Sequence, residues 1–476
     1  MTGPAPAEPA LRALVAPLAP LGERAWAVGG GVRDALLGRG VADLDVAVDG
    51  DAGAAARALA RPAGATPFRL SRAFGAWRVQ GGDLPFAVDL TPLQGGTLDE
   101  DLARRDLTVN ALAVPADGGA ALIDRHGGLA DLRARLLRLV RPSALADDPV
   151  RLLRVARLAE ELGFVVDPDA VAQGPAAAAR LWDAPGERLG EELRRIVRLR
   201  RPDLALRVLD ALGGLAALVP QLGESRGLDQ SPYHHLDVLG HTLEVVEHTA
   251  DLVADPEPVF RSLAGRVSAV LDAPLADDLT RGQALGFPAL LHDIAKPATR
   301  AVTPQGRVTF IGHDRLGAEM ADDFMRRLRT SSRLREFVDR CVLMHLPLGF
   351  MVHATPLSLR QIDRYLRATA PWEVEIVVLS VADRLATRGP RTSESAIRRH
   401  VALAREVVAA HFALVDRGPV RPLLTGDQAA AELDRAPGPW LSRLLDQLRE
   451  EQVVGAVRTE DQARRFARRW GAAHPA

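Results

Sequence analysis

The sequence predicts an α/β head built on a small mixed β-sheet, followed by all-helical domains that make the 476-residue chain mostly helical overall. Three observations predict this. Between Ala25 and Ala113, short alternating runs (AWAV, DLDVAV, WRVQ, FAVDL) are mixed with glycine turns and helical stretches such as AGAAARALA, the pattern of a compact α/β unit. After Leu132 strand signals nearly vanish, and apolar residues recur at helical spacing through LLRVARLAEELGF, ELRRIVRL and LALRVLDALGGLAALV to about residue 225. Past the loop-like GESRGLDQSP, a second helical region starts near Tyr233 and runs to about Arg388. GPRTSES then reads as a linker, before a last amphipathic run through Leu441, Leu444, Leu445 and Leu448. The expected domains are therefore a head over 1–135, a helical neck over 136–228, a second helical domain over 229–390 and a helical tail over 391–476.

Composition bounds the function classes. With 60 basic and 61 acidic residues the net charge is -1, so no overall positive field exists to capture a polyanion, which must be met locally. Lys296 is the single lysine, which leaves phosphate contacts to guanidinium groups suited to bidentate binding. Cys341 is the sole cysteine, which excludes intrachain disulfides and multi-cysteine metal sites and fits a reducing, cytoplasmic setting. No basic-plus-apolar leader and no apolar stretch of about 20 residues occurs, so neither secretion nor a membrane partner is expected.

The segment GGGVRDALLGRGVADLDVAV is the most informative. On a strand, Leu44, Val46 and Val48 face a core while Asp43 and Asp45 share the other face, about 6–7 Å apart. Asp89 alternates likewise against Phe86, Val88 and Leu90, and an adjacent strand would bring it to the same face. Oxygen ligands of this kind suit Mg²⁺. A glycine turn at Gly29 and Gly30 before a helix offers backbone N–H groups to phosphates, and Arg33 is the nearest side-chain candidate for the β- and γ-phosphates. A solvated strand face and a tight turn would explain either feature alone.

Gly29, Gly30, Val32, Arg33, Asp34, Leu36, Leu37, Gly38, Arg39, Asp43 and Asp45 together resemble the first motif of the class II nucleotidyltransferases, the bacterial CCA-adding enzymes and poly(A) polymerases of the polymerase-β superfamily. The resemblance implies catalytic Mg²⁺ ions on Asp43 and Asp45, assisted by Asp89. The family's RRDxTxNA motif stands at Arg104, Arg105, Asp106, Thr108, Asn110 and Ala111, implying that Asp106 and Asn110 hold the nucleotide sugar and Arg104 a phosphate. Locally, Asp106 also reads as a helix N-cap.

Next, ADDPVRLLRVARL reads locally as a helix with Asp148 as N-cap and Pro149 at its first position. The family's EDxxR motif falls on Asp147, Asp148 and Arg151, with Asp in place of the usual Glu. It implies that Asp148 and Arg151 read C or A in imitation of base pairing, since U and G would leave hydrogen-bonding groups unpaired at about 1–3 kcal/mol each. Arg154 and Arg157 are then phosphate contacts, or tethers for the reading pair. The run RRIVRLRR (Arg194, Arg195, Arg198, Arg200, Arg201) reads equally as a solvated face or as an RNA backbone contact.

A histidine constellation follows: His241, the His292 and Asp293 pair in LLHDIAKP, His313, His345 and Asp383. Its order resembles the HD superfamily of metal-dependent phosphohydrolases, and nitrogen plus carboxylate ligands suit Ni²⁺, Mn²⁺ or Co²⁺ and attack on a phosphodiester. His234, His235, His248 and His353 are assigned to satisfied core or surface positions.

Family members that build the whole CCA end carry a flexible loop before RRD that switches specificity from C to A. Here the chain passes from Asp89 to Arg104 through LTPLQGGTLDEDLAR only, a shortening typical of enzymes that add CC alone. The expected function is template-independent addition of C and/or A from CTP and ATP to the tRNA 3′ end and acceptor arm, with a second phosphohydrolase site and a possible homodimer. The alternatives are a poly(A) polymerase acting on general RNA, and an HD phosphohydrolase whose head only binds RNA.

Overall fold

The computed structural model describes residues 7–474 except 73 and 419. The chain forms two compact units, residues 1–199 with 204–220, and residues 200–203 with 221–476.

In the first unit, seven strands form one mixed sheet: β1 (Ala25–Val28), β2 (Asp43–Val48), β3 (Thr66–Ser71), β4 (Ala76–Gln80), β5 (Ala87–Pro92), β6 (Leu112–Pro115) and β7 (Ile123–Asp124), in the order β3-β4-β5-β2-β1-β6-β7. Only β2 and β5 run parallel, because the helix Ala52–Ala63, β3 and β4 intervene between them and return the chain in the same direction. Alternation sorts the faces as predicted: Leu44, Val46, Val88 and Leu90 are fully buried, while Asp43, Asp45 and Asp89 lie on the opposite face. Gly31 permits the helix Gly30–Leu36 to sit on this sheet, since a Cβ there would fall 2.5 Å from Leu44. The helices Arg151–Leu162 and Gly186–Val197 continue the unit.

The second unit is helical. Helices Val238–Ala254, Gly286–Leu291, His313–Arg327, Ser332–Leu343 and Glu373–Leu385 carry or flank the predicted histidine and aspartate ligands. GPRTSES, expected as a linker, is instead docked. Gly389 and Arg391 donate backbone hydrogen bonds to the carbonyls of Tyr233 and Pro232, and a Cβ on Gly389 would lie 2.4 Å from the Tyr233 backbone. The last three helices, Gly426–Glu432, Pro439–Val453 and Glu460–Ala473, enclose a small core of their own around Leu444, Leu448, Ala463 and Trp470. No helix among the described residues is long and apolar enough to cross a membrane.

Candidate functional site

In the head, the parallel register sets Asp45 directly beside Asp89, with Asp43 one alternation earlier on β2. Asp45 opens toward a cavity of about 410 Å³ lined also by Gly29, Gly30, Phe74, Arg104, Arg105, Asp106, Asn110, Arg151 and Arg154. Crowding by the protein around it raises Asp45 above the ordinary aspartate range, Arg105 and Arg154 pull it down, and the charges of Asp89 and Asp43 push it up again. The net excess of negative charge on three oxygen-donor side chains fits divalent cations.

Gly29 is required twice over. Its φ of +78° belongs to the left-handed region, and a Cβ there would sit 2.9 Å from Arg105 Nη1 and 3.1 Å from Asp45 Oδ2. Its N–H donates to the Leu112 carbonyl, so this amide holds the turn to β6.

The expected phosphate ligand Arg33 is not on the cavity wall. It is buried, donating to both oxygens of Asp34 (3.0 and 2.9 Å) and to Asn110 Oδ1 (2.7 Å). The reason is its place on the inward side of the short helix Gly30–Leu36, where a bare guanidinium needs partners. Arg105 takes the place beside Asp45, braced by Asp101 at 3.0 Å, and the sequence motif contained it without singling it out.

Asp106 and Asn110 are joined, with Asn110 Nδ2 donating to Asp106 Oδ1 at 3.0 Å and Arg154 Nη1 reaching Asp106 Oδ2 at 3.2 Å. Burial alone would raise the Asp106 carboxyl; Arg154, Asn110 and the Leu107 amide more than reverse that, so it stays ionised. Asp106 caps no helix: it bonds its own neighbour's amide, 2.7 Å away, ahead of the 3₁₀ turn Thr108–Asn110.

Asp148 likewise is not an N-cap, since the helix begins at Arg151. Its carboxylate is held by Arg188 through two hydrogen bonds of 3.1 and 2.6 Å, with Arg151 Nε 3.9 Å away. Arg151 donates to the carbonyls of Ala144 and Arg104 at 2.9 and 2.6 Å. Asp147 turns away to Arg141 and Ser143. Arg157 is tied to Glu192 and Glu161, which makes it a tether rather than an open phosphate contact. Of the five arginines in RRIVRLRR, Arg195 pairs with Glu191 and Arg201 with Asp203 and Glu247, while Arg198 and Arg200 are exposed and Arg194 is half-buried.

In the second unit the six HD-type residues converge. His241, His292 and Asp383 form one group and Asp293, His313 and His345 another, with ligand atoms in each lying within 4.8 Å. His292, His313 and His345 each direct Nδ1 at the backbone carbonyl three residues earlier, at 3.0, 2.6 and 2.6 Å. That orients each ring and leaves Nε2 as the nitrogen available to a metal. His292 Nε2 and His313 Nε2 are buried without a hydrogen-bond partner, although they lie 3.1 and 3.3 Å from Asp293 oxygens. Such orphaned nitrogens around a carboxylate are what a transition-metal ion completes. Burial and the neighbouring His292 and His313 depress His345 to about 4, so its ring is neutral at pH 7. Burial would raise Asp293, but His292 and Lys296 hold it well below its usual value.

Three residues, Arg78, Glu192 and Arg188, escaped the sequence reading. Arg78 on β4 lies opposite Asp89 and forks onto both its oxygens at 2.7 Å. Glu192 is buried and anchors Arg154 and Arg157. Arg188 fixes Asp148. His234, assigned above to a satisfied position, bonds Ser231 and sets its ring edge against His241 with centroids 4.9 Å apart. The sole signal for Arg78 was its alternation with Trp77 and Val79 in WRVQ, which placed it on a face but gave no strand partner.

Residues 25–88 and 77–138 match the family model described as the Poly A polymerase head domain, and residues 238–388 match the HD domain. The chain is 35% identical over 469 residues to the A-adding tRNA nucleotidyltransferase of Deinococcus radiodurans, covering 96% of this chain and 98% of that protein. It is 36% identical over 454 residues to the CC-adding tRNA nucleotidyltransferase of Thermus thermophilus, covering 94% and 93%. Among solved structures, a CCA-adding enzyme with CTP superposes with TM-score 0.67 at 17% identity, covering all of both chains. The Thermotoga maritima CCA-adding enzyme complexed with tRNA superposes at 0.62 and 17% identity over 99% of this chain and 100% of that one, a likeness of fold.

Proposed function

The chain belongs to the tRNA nucleotidyltransferase family, and from that premise we propose that it transfers C and/or A from CTP and ATP, without a template, to the 3′ end of tRNA, building part of the CCA end. The observation that carries the chemistry is the row of Asp43, Asp45 and Asp89 on one sheet face, with Asp45 on the wall of the cavity that holds Asp106 and Asn110. Mg²⁺ ions bound to Asp43 and Asp45 would supply Lewis-acid charge at the α-phosphate and toward the tRNA 3′-OH. Around them, Arg105 faces the phosphates and Asp106 accepts from the ribose hydroxyl, its direction fixed by Asn110 and Arg154. Asp148 and Arg151 present an acceptor and donors to the base edge, and Gly29 and Gly30 leave room for the triphosphate.

The connection from β5 to the next helix supports partial rather than complete CCA synthesis, and favours the two C additions. Only Leu93 to Thr97 lie between β5 and the helix Leu98–Ala103, and the turn is tied back by the Gln94 amide donating to Asp101 at 3.1 Å. A Cβ on Gly95 would touch Glu100 at 2.8 Å. So tight a turn has no slack for switching between bases. The second unit acts as a metal-dependent phosphohydrolase on phosphodiesters such as 2′,3′-cyclic ends, with His241, His292, Asp293, His313, His345 and Asp383 holding Ni²⁺, Mn²⁺ or Co²⁺.

The test is incorporation on tRNAs ending before CCA, after C and after CC, each with CTP or ATP, with the products sequenced. Replacing Asp43 and Asp45 together by alanine abolishes incorporation and leaves the phosphohydrolase; surviving CTP transfer rejects the head assignment. Processive tailing of a non-tRNA with ATP alone would instead mark a poly(A) polymerase.

A further inference from the structure

Arg78 stands in the carboxylate row itself. Antiparallel pairing sets Arg78 on β4 opposite Asp89 on β5, which the parallel pairing sets beside Asp45 on β2, so three strands carry cation, anion, anion in line. The guanidinium binds both Asp89 oxygens at 2.7 Å with its Nε and Nη2, and Nη2 also lies 3.2 Å from Asp43 Oδ1. The two contacts differ in strength. The Asp89 pair is a short, bidentate fork with the carboxylate side chain 15% exposed, whereas Asp43 is 59% exposed and its contact is longer, at 3.2 Å.

This arrangement bears on how the head takes up metal. Two close-set ligand clusters occur among the described residues, and neither includes Asp43, Asp45 or Asp89. With both oxygens of Asp89 drawn to β4, the opening between Asp43 and Asp45 is where a divalent ion meets carboxylates, and it meets them with a fixed positive charge already in contact. We propose that Arg78 is a built-in counter-cation of the head: it keeps Asp89 out of the metal's immediate ligands, and it competes with the divalent ion for Asp43, thereby setting the divalent-ion concentration that nucleotidyl transfer requires. Arg78 is in this sense a positioning residue. The Asp43 contact, being longer and wetter, yields to the ion, while the Asp89 fork stays. The inference rests on the reading of Asp43 and Asp45 as the metal platform.

The test is Mn²⁺ binding to the full chain without nucleotide, followed by the loss of the free Mn²⁺ electron paramagnetic resonance signal. The double variant Asp43→Asn with Asp45→Asn retains only the second unit's site and supplies the isotherm to subtract. Arg78→Gln is expected to bind Mn²⁺ at the head about ten-fold more tightly, because a positive charge a few ångströms from the ion is gone. Arg78→Lys, which keeps the charge without the fork, is expected to stay within about two-fold of the parent. In turnover, Arg78→Gln lowers both the Mg²⁺ needed for half-maximal rate and kcat, since Asp89 loses its bracket. A purely structural ion pair would change melting temperature and leave the metal isotherm alone. Unchanged or weaker head binding in Arg78→Gln overturns the role of Arg78. Superimposable isotherms for the parent and the double aspartate variant overturn the metal platform itself.

Discussion

Asp148 shows how much a single partner decides at the scale of the residue. An aspartate can select a base only if its oxygens are held in one direction, and here the two hydrogen bonds from Arg188 do this while Arg151 is anchored by the backbone carbonyls of Ala144 and Arg104. Arg188 is half exposed, so it adds little stability but fixes geometry. Arg188→Ala should therefore leave the melting temperature within about 1–2 °C, in keeping with an exposed pair. It should also raise UTP relative to CTP incorporation on the order of ten-fold, the loss of one well-aimed contact. Parallel incorporation assays on one tRNA check this, and an unchanged ratio would exclude Asp148 as a reader. Contiguous motif residues such as Asp43, Asp45, Asp106 and Asn110 were legible in the sequence because their spacing carries their geometry. Arg188, Arg78 and Glu192 were not, because each acts through a partner tens of residues or a strand register away.

Between elements, charged side chains act as connectors. Starting from Asp34, a closed circuit passes through Arg33, Asn110, Asp106, Arg154, Glu192, Arg157, Glu161 and Arg39 back to Asp34. It joins the helix Gly30–Leu36, the RRD segment, the helix Arg151–Leu162 and the helix Gly186–Val197, so Asp106 and Asn110 are fixed from several sides. Helical periodicity predicted the last two of these helices, and left Arg154 and Arg157 as either phosphate contacts or tethers for the reading pair. In the second unit the helix Glu373–Leu385 carries Asp383 near one end and Glu375, fully buried beside Arg281, near the other. Burial pushes Glu375 up to about 7 from 4.5, against the pull of Arg281. A folded-state value above the unfolded one means that the folded protein holds the proton more tightly. The stabilisation is thus complete below pH 4.5 and is lost as pH rises through about 7, a swing of about 3 kcal/mol. Glu375→Gln should flatten this decline: melting curves of the two proteins at pH 5, 6.5 and 8 should converge at low pH and separate at high pH. His345 titrates in the opposite sense in both proteins and cancels in the comparison. Parallel curves would show that folding does not raise the Glu375 carboxyl above its unfolded value.

For the whole molecule, the near balance of 60 basic and 61 acidic residues conceals two chemistries with different ligand tastes. The head's carboxylate row offers a metal oxygen ligands only, whereas three histidines with orphaned or backbone-fixed rings gather around Asp293. No ligand residue is shared, and the two sets belong to separate compact units. Hard oxygen sites prefer Mg²⁺ and mixed nitrogen and oxygen sites prefer later transition metals, so the activities should be separable by metal as well as by mutation. Chelator treatment should silence both. Mg²⁺ alone should restore CTP transfer to tRNA, and Ni²⁺, Mn²⁺ or Co²⁺ should be needed to restore hydrolysis of a 2′,3′-cyclic phosphate. Asp293→Ala removes the carboxylate that His292, His313 and Lys296 all face. It should lower that hydrolysis by about a hundred-fold or more while nucleotide transfer stays within about two-fold. Measuring both rates on one preparation decides the matter. A joint loss in Asp293→Ala, with the chain still folded by circular dichroism, would mean that the two sites work as one.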